Sequence, residues 1–469
     1  MSERYDAIVV GAGVNGLIAV ALLAKAGLRA MLLERSSLLF GHAGEATLSA
    51  LDPRVVKQLR LAQHGLAFAV RDLSLTVLDA GGQSAVIGRD RHATARSLAA
   101  LSAADATAYE PWRRALFDLG RALRPCWWNG HTPDEIRRAL TLPQRVLLDR
   151  LSVASAAAWL SSVFDSDALK AALAFEVAAC GVAPSEAGSA LALAWCAAQE
   201  MCGRQGAVAM PRGGAIGLQQ ALSEAAQKAG AEIRTAAMVS SLLVAGGAIG
   251  GVELVAGESI AAPLVLSTLS RRRTLSGLLP TAAIGIGAAR EVARPQAEFG
   301  CATLVYGLQR PPDFGAFRAA ANTRYVLAER LETFEVALSA QRLGWVPQEP
   351  AIELALSPAG AERSVLTARV WPVGRNADRD ALTKRVTGMI ERHALGFSAL
   401  IASCDVLLPS GGSVSASRLA CASTERIDTA VRGLLLCGPD AEPAHAVSGV
   451  AARQAAAFAI ALHKKVAGS

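Results

Sequence analysis

The chain opens with the stretch Tyr5-Asp6-Ala7-Ile8-Val9-Val10-Gly11-Ala12-Gly13-Val14-Asn15-Gly16, and this stretch decides the fold. Its apolar, β-branched run predicts a buried parallel strand that ends at Val10. Gly11 allows a tight turn, and Gly13 lets the backbone approach a pyrophosphate. Gly16 lets the following helix pack closely against the strand. The order of strand and spaced glycines therefore predicts a turn that binds dinucleotide phosphates.

The next residues complete a βαβ unit. We predict a helix over residues 15–26, whose N-terminal amides and dipole favour phosphate, and a second strand over residues 28–33. Glu34 ends that strand and is placed to accept hydrogen bonds from ribose hydroxyls, which favours FAD or NAD over NADP. Arg35 weakens this preference, because an arginine there can meet a 2′-phosphate. The alternative interpretation is an ordinary βαβ unit with a glycine-rich turn.

Length and hydropathy limit the class of protein. A chain of 469 residues predicts two or three domains. Hydrophobic residues make up 52% of the chain, but alanine contributes much of that fraction. No run of eighteen apolar residues predicts a membrane span. The chain enters a strand by residue 7, so we expect no signal peptide and a cytoplasmic protein.

Charge and cysteine content narrow the choice of partner. The net charge of +7 is modest for this length, and the absence of a run of five basic residues argues against a nucleic-acid partner. The eight cysteines form no C-x-x-C pair and no cluster with histidine, which predicts small buried thiols and no metal site. The sequence does not decide between three further possibilities: a peripheral contact at the inner face of the membrane, a homodimer, and a complex with a protein partner.

Later segments predict that the cofactor domain is discontinuous. We expect a helix from Asp52 to about Gln63, mostly helical structure over 90–204, and a final helix over 450–466. We expect strands near 66–71, 74–79, 84–88, 231–234, 238–245, 248–255, 258–266 and 431–436. Five tryptophans in the helical region predict either core packing or the wall of an apolar substrate tunnel: Trp112, Trp127, Trp128, Trp159 and Trp195.

Three blocks of sequence together resemble the phytoene desaturase-like FAD-dependent oxidoreductases, which include carotenoid desaturases, carotenoid isomerases and retinol saturases. The blocks are Tyr5 to Glu34, the segment from Met210-Pro211-Arg212-Gly213-Gly214 to Val265-Leu266-Ser267, and Gly433 to Gly449. The resemblance implies FAD as cofactor. It also implies an α/β fold, in which a discontinuous Rossmann-like FAD-binding domain carries an inserted α+β substrate domain, as in the amine oxidase and phytoene desaturase architecture.

The resemblance also implies domain limits and cofactor contacts. The FAD-binding parts would be 1–75, 205–270 and 405–469, and the substrate parts 76–204 and 271–404. The ADP contacts would be Gly11, Gly13, Asn15, Gly16, Glu34, Arg35 and Val239. The contacts nearer the ribityl chain and flavin ring would be Gly438, Asp440, Gly449 and Val450.

Two segments on the flavin-ring side depart from that family. Residues 40–44 read Phe-Gly-His-Ala-Gly where the family has a Gly-Gly pair, and the loop before Asp52 is short. Near the C-terminus the chain has Glu442-Pro443-Ala444-His445-Ala446 where the family has His-Pro-Gly-Gly-Gly. Residues with a Cβ atom thus replace glycines that let backbone lie against a ring.

Three functions follow as hypotheses. The first is a redox flavoenzyme that transfers a hydride between flavin N5 and a lipophilic substrate, for example a polyene. His445 or His42 would be a proton donor or a stacking partner there. The second is a divergent member that binds FAD or only ADP and acts as a scaffold, a partner subunit or a cofactor-dependent isomerase. The third is a flavin amine oxidase, which predicts an aromatic cage beside the ring.

Overall fold

The computed structural model describes most of the chain. The described residues are 4–40, 46–78, 84–293, 299–314, 317–318, 322–357, 364–409, 414–420, 427–445 and 447–467. The helices are α1 (Val14–Lys25), α2 (Pro53–Gln58), α3 (Arg91–Leu98), α4 (Ala103–Asn129), α5 (Pro133–Ala139), α6 (Leu142–Val153), α7 (Ala156–Ser161), α8 (Asp167–Ala179), α9 (Leu191–Ala198), α10 (Gly214–Lys228), α11 (Arg271–Gly277), α12 (Ile286–Ala293), α13 (Glu332–Arg342), α14 (Arg379–His393), α15 (Ser417–Ala420) and α16 (Val450–Ala467).

The strands belong to two large sheets and several small ones. They are β1 (Ala7–Val10), β2 (Ala30–Leu33), β3 (Phe68–Val70), β4 (Ser74–Leu78), β5 (Ser84–Ile87), β6 (Glu200–Met201), β7 (Arg204–Gln205), β8 (Met210–Pro211), β9 (Glu232–Arg234), β10 (Val239–Ala245), β11 (Ala248–Leu254), β12 (Ser259–Ala261), β13 (Val265–Ser267), β14 (Phe299–Leu308), β15 (Asp313–Phe314), β16 (Phe317–Arg318), β17 (Thr323–Leu327), β18 (Ala351–Ser357), β19 (Ser364–Gly374), β20 (Ile401–Leu407) and β21 (Leu434–Leu436).

The first large sheet is parallel, with the strand order β21–β13–β1–β2–β9. Every residue of β1 is buried because both faces of the sheet are covered. Val9 packs with α1, α10 and α16 on one face, while Ile8 and Val10 pack with the antiparallel β10–β11–β12 layer on the other. The sheet therefore joins strands from the beginning, middle and end of the chain. The predicted discontinuous Rossmann-like domain is confirmed.

The second large sheet is mixed, with the order β20–β14–β19–β18–β17–β4–β5. Helices α4, α8 and α9 pack in the core on one side of it, and α14 packs in a separate core on the other side. This sheet with its helices is the inserted α+β domain. The exact domain limits stay a prediction, since β4 begins at Ser74 and Leu275 of α11 packs with the core beside the parallel sheet.

Two predicted elements are divided in the structure. The helix predicted from Asp52 ends at Gln58, because Arg60 adopts a left-handed conformation (φ 51°), and a short 3-10 turn follows at Leu61–His64. The strand predicted over 258–266 is two strands, β12 and β13, in different sheets. Pro263 lies between them and has no N–H to donate to a ladder. Among the described helices, none is both long and apolar enough to cross a bilayer.

Candidate cofactor and substrate site

The three glycines of the first turn have different surroundings. Gly11 has φ +99°, a conformation that disfavours a side chain. A Cβ atom on Gly16 would overlap the carbonyl oxygen of Gly11, so α1 can approach the turn only with glycine there. Gly13 is the N-cap of α1, it is exposed, and a Cβ atom on it would meet no atom within 4 Å. The space at Gly13 therefore lies directly before the N-terminal amides of α1, where phosphate is favoured.

Glu34 is held in place at the end of β2. Its Oε2 accepts a hydrogen bond from the Ala12 N–H at 2.8 Å, and its Oε1 accepts one from the Ser36 N–H at 2.9 Å. A carboxylate has about four lone-pair sites, so acceptor capacity remains for ribose hydroxyls. The neighbouring Arg35 is exposed.

Val239 is buried at the start of β10. The segment just before it is bonded to the end of β2, because Ala236 N–H donates to the Ser36 carbonyl and Ala237 N–H donates to the Glu34 carbonyl. The structure thus brings the predicted ADP residues Glu34, Arg35 and Val239 to the same edge of the parallel sheet. Their contacts with a nucleotide stay a prediction.

A cavity of about 340 Å³ begins at this turn and extends to the C-terminal segment. We call it the inner cavity, and its walls include Gly13, Asn15, Thr268, Gly438, His445 and Val447. It reaches the inserted domain at Ala179, Gly181 and Cys301. Two predicted contacts of the ADP side, Gly13 and Asn15, and one of the ring side, Gly438, therefore lie on one continuous wall.

Side-chain bonds hold the loop that carries Gly438. The Asn15 Nδ2 donates to the Cys437 carbonyl at 2.8 Å and to Glu442 Oε1 at 3.3 Å. Glu442 is buried, accepts from the Ala451 N–H at 3.2 Å and also accepts from the Ser448 hydroxyl. The Arg418 guanidinium donates to the carbonyls of Pro439, Asp440 and Glu442. Asn15 and Arg418 thus position this loop from distant parts of the chain.

Three of the predicted ring-side residues, Asp440, Gly449 and Val450, contact other parts of the protein. The Asp440 Oδ2 accepts from the Arg271 N–H at 2.6 Å, and its Oδ1 lies 3.8 Å from Arg418 Nη1. Gly449 has φ +68°, and a Cβ atom on it would come within 2.6 Å of Ile18 Cδ1. Val450 is buried at the start of α16. Asp440 thus bonds the first turn of α11, and the cofactor roles of all three stay predictions.

His445 lies mostly buried in the wall of the inner cavity. Its backbone N–H donates to the Cys180 carbonyl at 2.9 Å, and its ring packs on Gly181, where a Cβ atom would come within 2.8 Å of the imidazole. Burial, and then the nearby charge of Arg418, lowers its pKa to about 4. Desolvation thus favours the neutral imidazole over the protonated form at this position. No sequence pattern identifies Gly181, the residue on which the His445 ring packs.

The other predicted catalytic residue, His42, lies outside the described residues, as do the rest of 41–45 and Ala446. The loop that departs from the family before Asp52 is therefore described only from Ala46 onward. Among the described residues, no group of three or more His, Cys, Asp or Glu side chains could hold a metal ion.

Two further cavities continue from His445 into the inserted domain. The connecting cavity, of about 30 Å³, shares Ala179, His445 and Val447 with the inner cavity. The outer cavity, of about 280 Å³, shares Glu176, Cys196 and Arg324 with the connecting one. Trp112 lines the outer cavity. Trp127 and Trp195 are buried in the core, and Trp195 also borders the connecting cavity. Core packing therefore holds for Trp127 and Trp195, whereas a substrate-tunnel wall at Trp112 stays a prediction.

A buried ion cluster lies where the outer and connecting cavities meet. The Arg324 Nη1 lies 2.5 Å from Glu353 Oε1 and 2.8 Å from Glu176 Oε1. The Arg369 Nε donates to Glu353 Oε2 at 2.8 Å. Burial opposes ionisation of Glu353, but the charges of Arg369 and Arg324 outweigh it and lower the pKa of Glu353. Sequence analysis missed Arg324, Glu353 and Glu176 as members of a site.

Comparison with known proteins agrees with this geometry. Residues 9–81 match the NAD(P)-binding Rossmann-like domain family. The mouse (Mus musculus) pyridine nucleotide-disulfide oxidoreductase domain-containing protein 2 is 26% identical over 97% of this chain and 93% of its own length. The aligned span is 541 residues, longer than the chain itself, so the mouse protein has insertions relative to it.

Solved structures match the whole chain. Putrescine oxidase bound to putrescine has a TM-score of 0.65 at 13% identity, with all of both chains covered. Cyclohexylamine oxidase from Brevibacterium oxydans IH-35A has a TM-score of 0.59 at 15% identity, also with all of both chains covered. The chain has the fold of the FAD/NAD(P)-binding oxidoreductases. At these identities the structural matches show the fold alone, and the comparisons together support an oxidoreductase in the general sense.

Proposed function

We propose that the protein binds FAD and acts as an oxidoreductase that transfers a hydride between flavin N5 and a lipophilic substrate. One observation carries the proposal. The inner cavity runs from the phosphate-favouring turn at Gly13 to Gly438 and His445, beside the inserted domain. An extended dinucleotide with its redox ring at the domain interface matches that course.

The residues present fit FAD along this course. Gly13 leaves the approach to the α1 amides open, and Glu34 retains acceptor capacity for ribose. Gly438 allows the loop to pass against Thr268 and Leu269, since a Cβ atom there would overlap their carbonyl oxygens. His445 occupies the segment where the resembling family has glycines, yet the cavity beside it remains. Gly13, Glu34 and Gly438 would therefore hold the cofactor.

Bound FAD would supply the redox chemistry by accepting or giving a hydride at N5. The chain's own residues would orient the substrate and exclude water, because Ala179, Ala444 and Val447 present apolar surface to the inner cavity. His445 would act there as a neutral imidazole, with one nitrogen donating and the other accepting a hydrogen bond. A catalytic role for His445 stays a proposal.

Two alternatives differ in what they require of the inner cavity. An amine oxidase would need an aromatic cage, but the described lining contains no Tyr, Trp or Phe, although the names of the structural neighbours favour amine substrates for those proteins. A scaffold without redox chemistry is favoured by the two sequence departures on the flavin-ring side, at residues 40–44 and at Ala444-His445-Ala446. A homodimer or a peripheral membrane contact stays a prediction in either case.

The absorption spectrum of protein purified without added cofactor, with the mass of any released ligand, tests the proposal. We expect flavin bands, an FAD mass, bleaching by a reductant and recovery in air. Colourless protein that takes up no FAD on addition would overturn it. Flavin that neither bleaches nor recovers would favour the scaffold.

Gly13→Val tests the position of the pyrophosphate. Because a Cβ atom at Gly13 meets no protein atom within 4 Å, the variant should fold normally but lose at least about 90% of its FAD. Gly388→Val is the matched control, because Gly388 on α14 also has open space around it and lies outside the inner cavity. The flavin-to-protein ratio after gel filtration measures the effect. Full FAD retention in Gly13→Val would contradict the assignment of the turn.

A further inference from the structure

The outer cavity has the composition of a binding site with an apolar wall and charged groups. Trp112, Leu116, Phe117 and Leu193 provide the apolar wall. The ring of Trp112 is fixed by Phe164 in an edge contact, with 5.2 Å between ring centroids. A site with such walls and a few converging polar groups is typical of small-molecule binding.

The charged groups of this cavity are mostly cationic. Four arginines line it, against two carboxylates: Arg89, Arg113, Arg204 and Arg324, with Asp72 and Glu176. Asp72 is already paired with Arg89 at 2.8 Å and lies 3.6 Å from Arg204. The excess of positive charge attracts an anionic ligand into a partly enclosed cavity.

Two buried hydrogen-bond donors of the lining residues also favour a ligand that carries acceptor atoms. Within the part of the chain that the structure describes, two buried polar atoms of the lining have no hydrogen-bond partner, Arg324 Nε and Trp112 Nε1. Both are N–H groups that can only donate. Neither atom is open to solvent in this structure, so an acceptor of a bound group would reach it after a small shift of the side chain. A buried donor without a partner is costly, so the new hydrogen bond would stabilise this wall.

The ion cluster explains why Arg324 stays charged and in place. The Nη1 of Arg324 is held by Glu353 on the neighbouring strand β18 and by Glu176 on α8. Glu353 is itself shared with Arg369, its cross-strand neighbour on β19. One edge of the Arg324 guanidinium is thereby fixed, while its Nε remains without a partner among the described residues.

We propose that the outer cavity binds the carboxylate of an amphiphilic organic acid, with Arg324 and Trp112 as donors and the apolar body against Phe117 and Leu193. This inference rests on the proposed function in one respect, since it names the substrate class of that oxidoreductase. Binding itself needs no flavin. The position of Arg324 beside the connecting cavity places the head group on the side nearer His445.

Calorimetric titration with octanoate, octan-1-ol and octylamine tests the proposal, because the three probes share a chain and differ in head group. We expect octanoate to bind the wild-type protein at least tenfold more tightly than either of the others. Arg324→Lys keeps the positive charge for Glu353 and Glu176 but removes Nε, and should reduce octanoate affinity at least tenfold. Arg375→Lys is the matched control, because Arg375 also has a buried Nε without a partner among the described residues and lies outside the outer cavity.

Trp112→Phe provides a second test if Arg324→Lys fails to fold. It keeps an aromatic ring but removes the Nε1 donor, and should weaken octanoate about threefold with no effect on octan-1-ol. Equal affinity for the three probes, or octanoate affinity unchanged in both variants, would overturn the proposal. The titration is repeated on Gly13→Val protein. Octanoate should bind that variant as tightly as the wild type, because the outer cavity needs no flavin. Wild-type protein that takes up no FAD but still binds octanoate through Arg324 would overturn the proposed function and leave this site standing.

Discussion

The two ends of the inner cavity are built in different ways. At the Gly13 end, backbone atoms and glycines define the site, and the residues involved are neighbours in sequence. At the His445 end, side chains define it, and they come from distant segments: Asn15 bonds Glu442, Arg418 bonds the 439–442 backbone, and His445 packs on Gly181. The first end follows from local geometry, and the second depends on the assembled fold.

This difference implies that substitutions at the two ends fail in different ways. A Cβ atom at the glycine end either blocks the nucleotide or collides with the backbone, depending on the position. A changed side chain at the other end alters a network of bonds between the two domains. Each prediction below tests one side of this contrast.

The largest effect is expected for Gly16→Ala. Helix propensity alone predicts a gain of about 1 kcal/mol for alanine inside a helix. The new Cβ atom would overlap the Gly11 carbonyl oxygen, so we expect instead a loss of at least about 3 kcal/mol in the free energy of unfolding. Urea denaturation followed by circular dichroism measures the change in the free energy of unfolding. A gain would mean that helix propensity dominates, and a loss would mean that overlap with the Gly11 carbonyl oxygen dominates.

Gly13→Ala is the control for that measurement. Its Cβ atom meets open space, and the cost of alanine at an N-cap position is about 1 kcal/mol. Equal stability losses in the two variants would show that backbone overlap at Gly16 is not what requires glycine in this turn.

The contrast between the Gly13 end and the His445 end also explains which features of the site could be predicted from the sequence. The first turn, the βαβ unit and Glu34 follow from residues close together in the chain, and the structure has them as predicted, with β1 and β2 as neighbouring parallel strands. The resemblance also put His445 on the flavin-ring side, which stays a prediction. The lowered pKa of His445 could not be predicted from sequence, since it depends on burial against the inserted domain and on Arg418.

The outer cavity could not be predicted from the sequence, because its charged residues meet only in the folded sheet. Arg324, Glu353 and Arg369 lie on three adjacent strands, and only the strand register brings them together. In a sequence, a charged residue within a strand most simply predicts a solvent-facing position. The aromatic pattern around Trp112 did suggest a tunnel wall, but periodicity could not separate that residue from the core tryptophans.

A second prediction concerns the acid stability of the His445 end. The pKa of His445 is lowered from 6.5 to about 4, so the folded state binds fewer protons than the unfolded state. Its stabilising effect is thus fully present above pH 6.5 and is lost as the pH falls toward 4. The gap between the two values corresponds to at most about 3 kcal/mol.

His445→Gln removes the titrating group and should flatten this part of the profile. The free energy of unfolding, measured by urea denaturation from pH 7 to pH 4, should fall more steeply for the wild-type protein than for the variant. His131→Gln, at a half-exposed histidine, is the control and should follow the wild-type curve. Parallel curves for the wild type and His445→Gln would mean that the imidazole is not held neutral at this end.

The smallest effect is expected at the exposed margin of the glycine end. Arg35 follows Glu34, the proposed acceptor for ribose, but is exposed, so its charge acts mainly through water. We expect Arg35→Gln to change FAD affinity by no more than about threefold, with the difference vanishing at 0.5 M salt, since exposed charge interactions contribute only about 0–1 kcal/mol. Titration of cofactor-stripped protein with FAD, followed by flavin fluorescence, measures it. A tenfold loss that persists in high salt would instead give Arg35 a direct, desolvated contact with the nucleotide, and the glycine end would then depend on a side chain as the His445 end does.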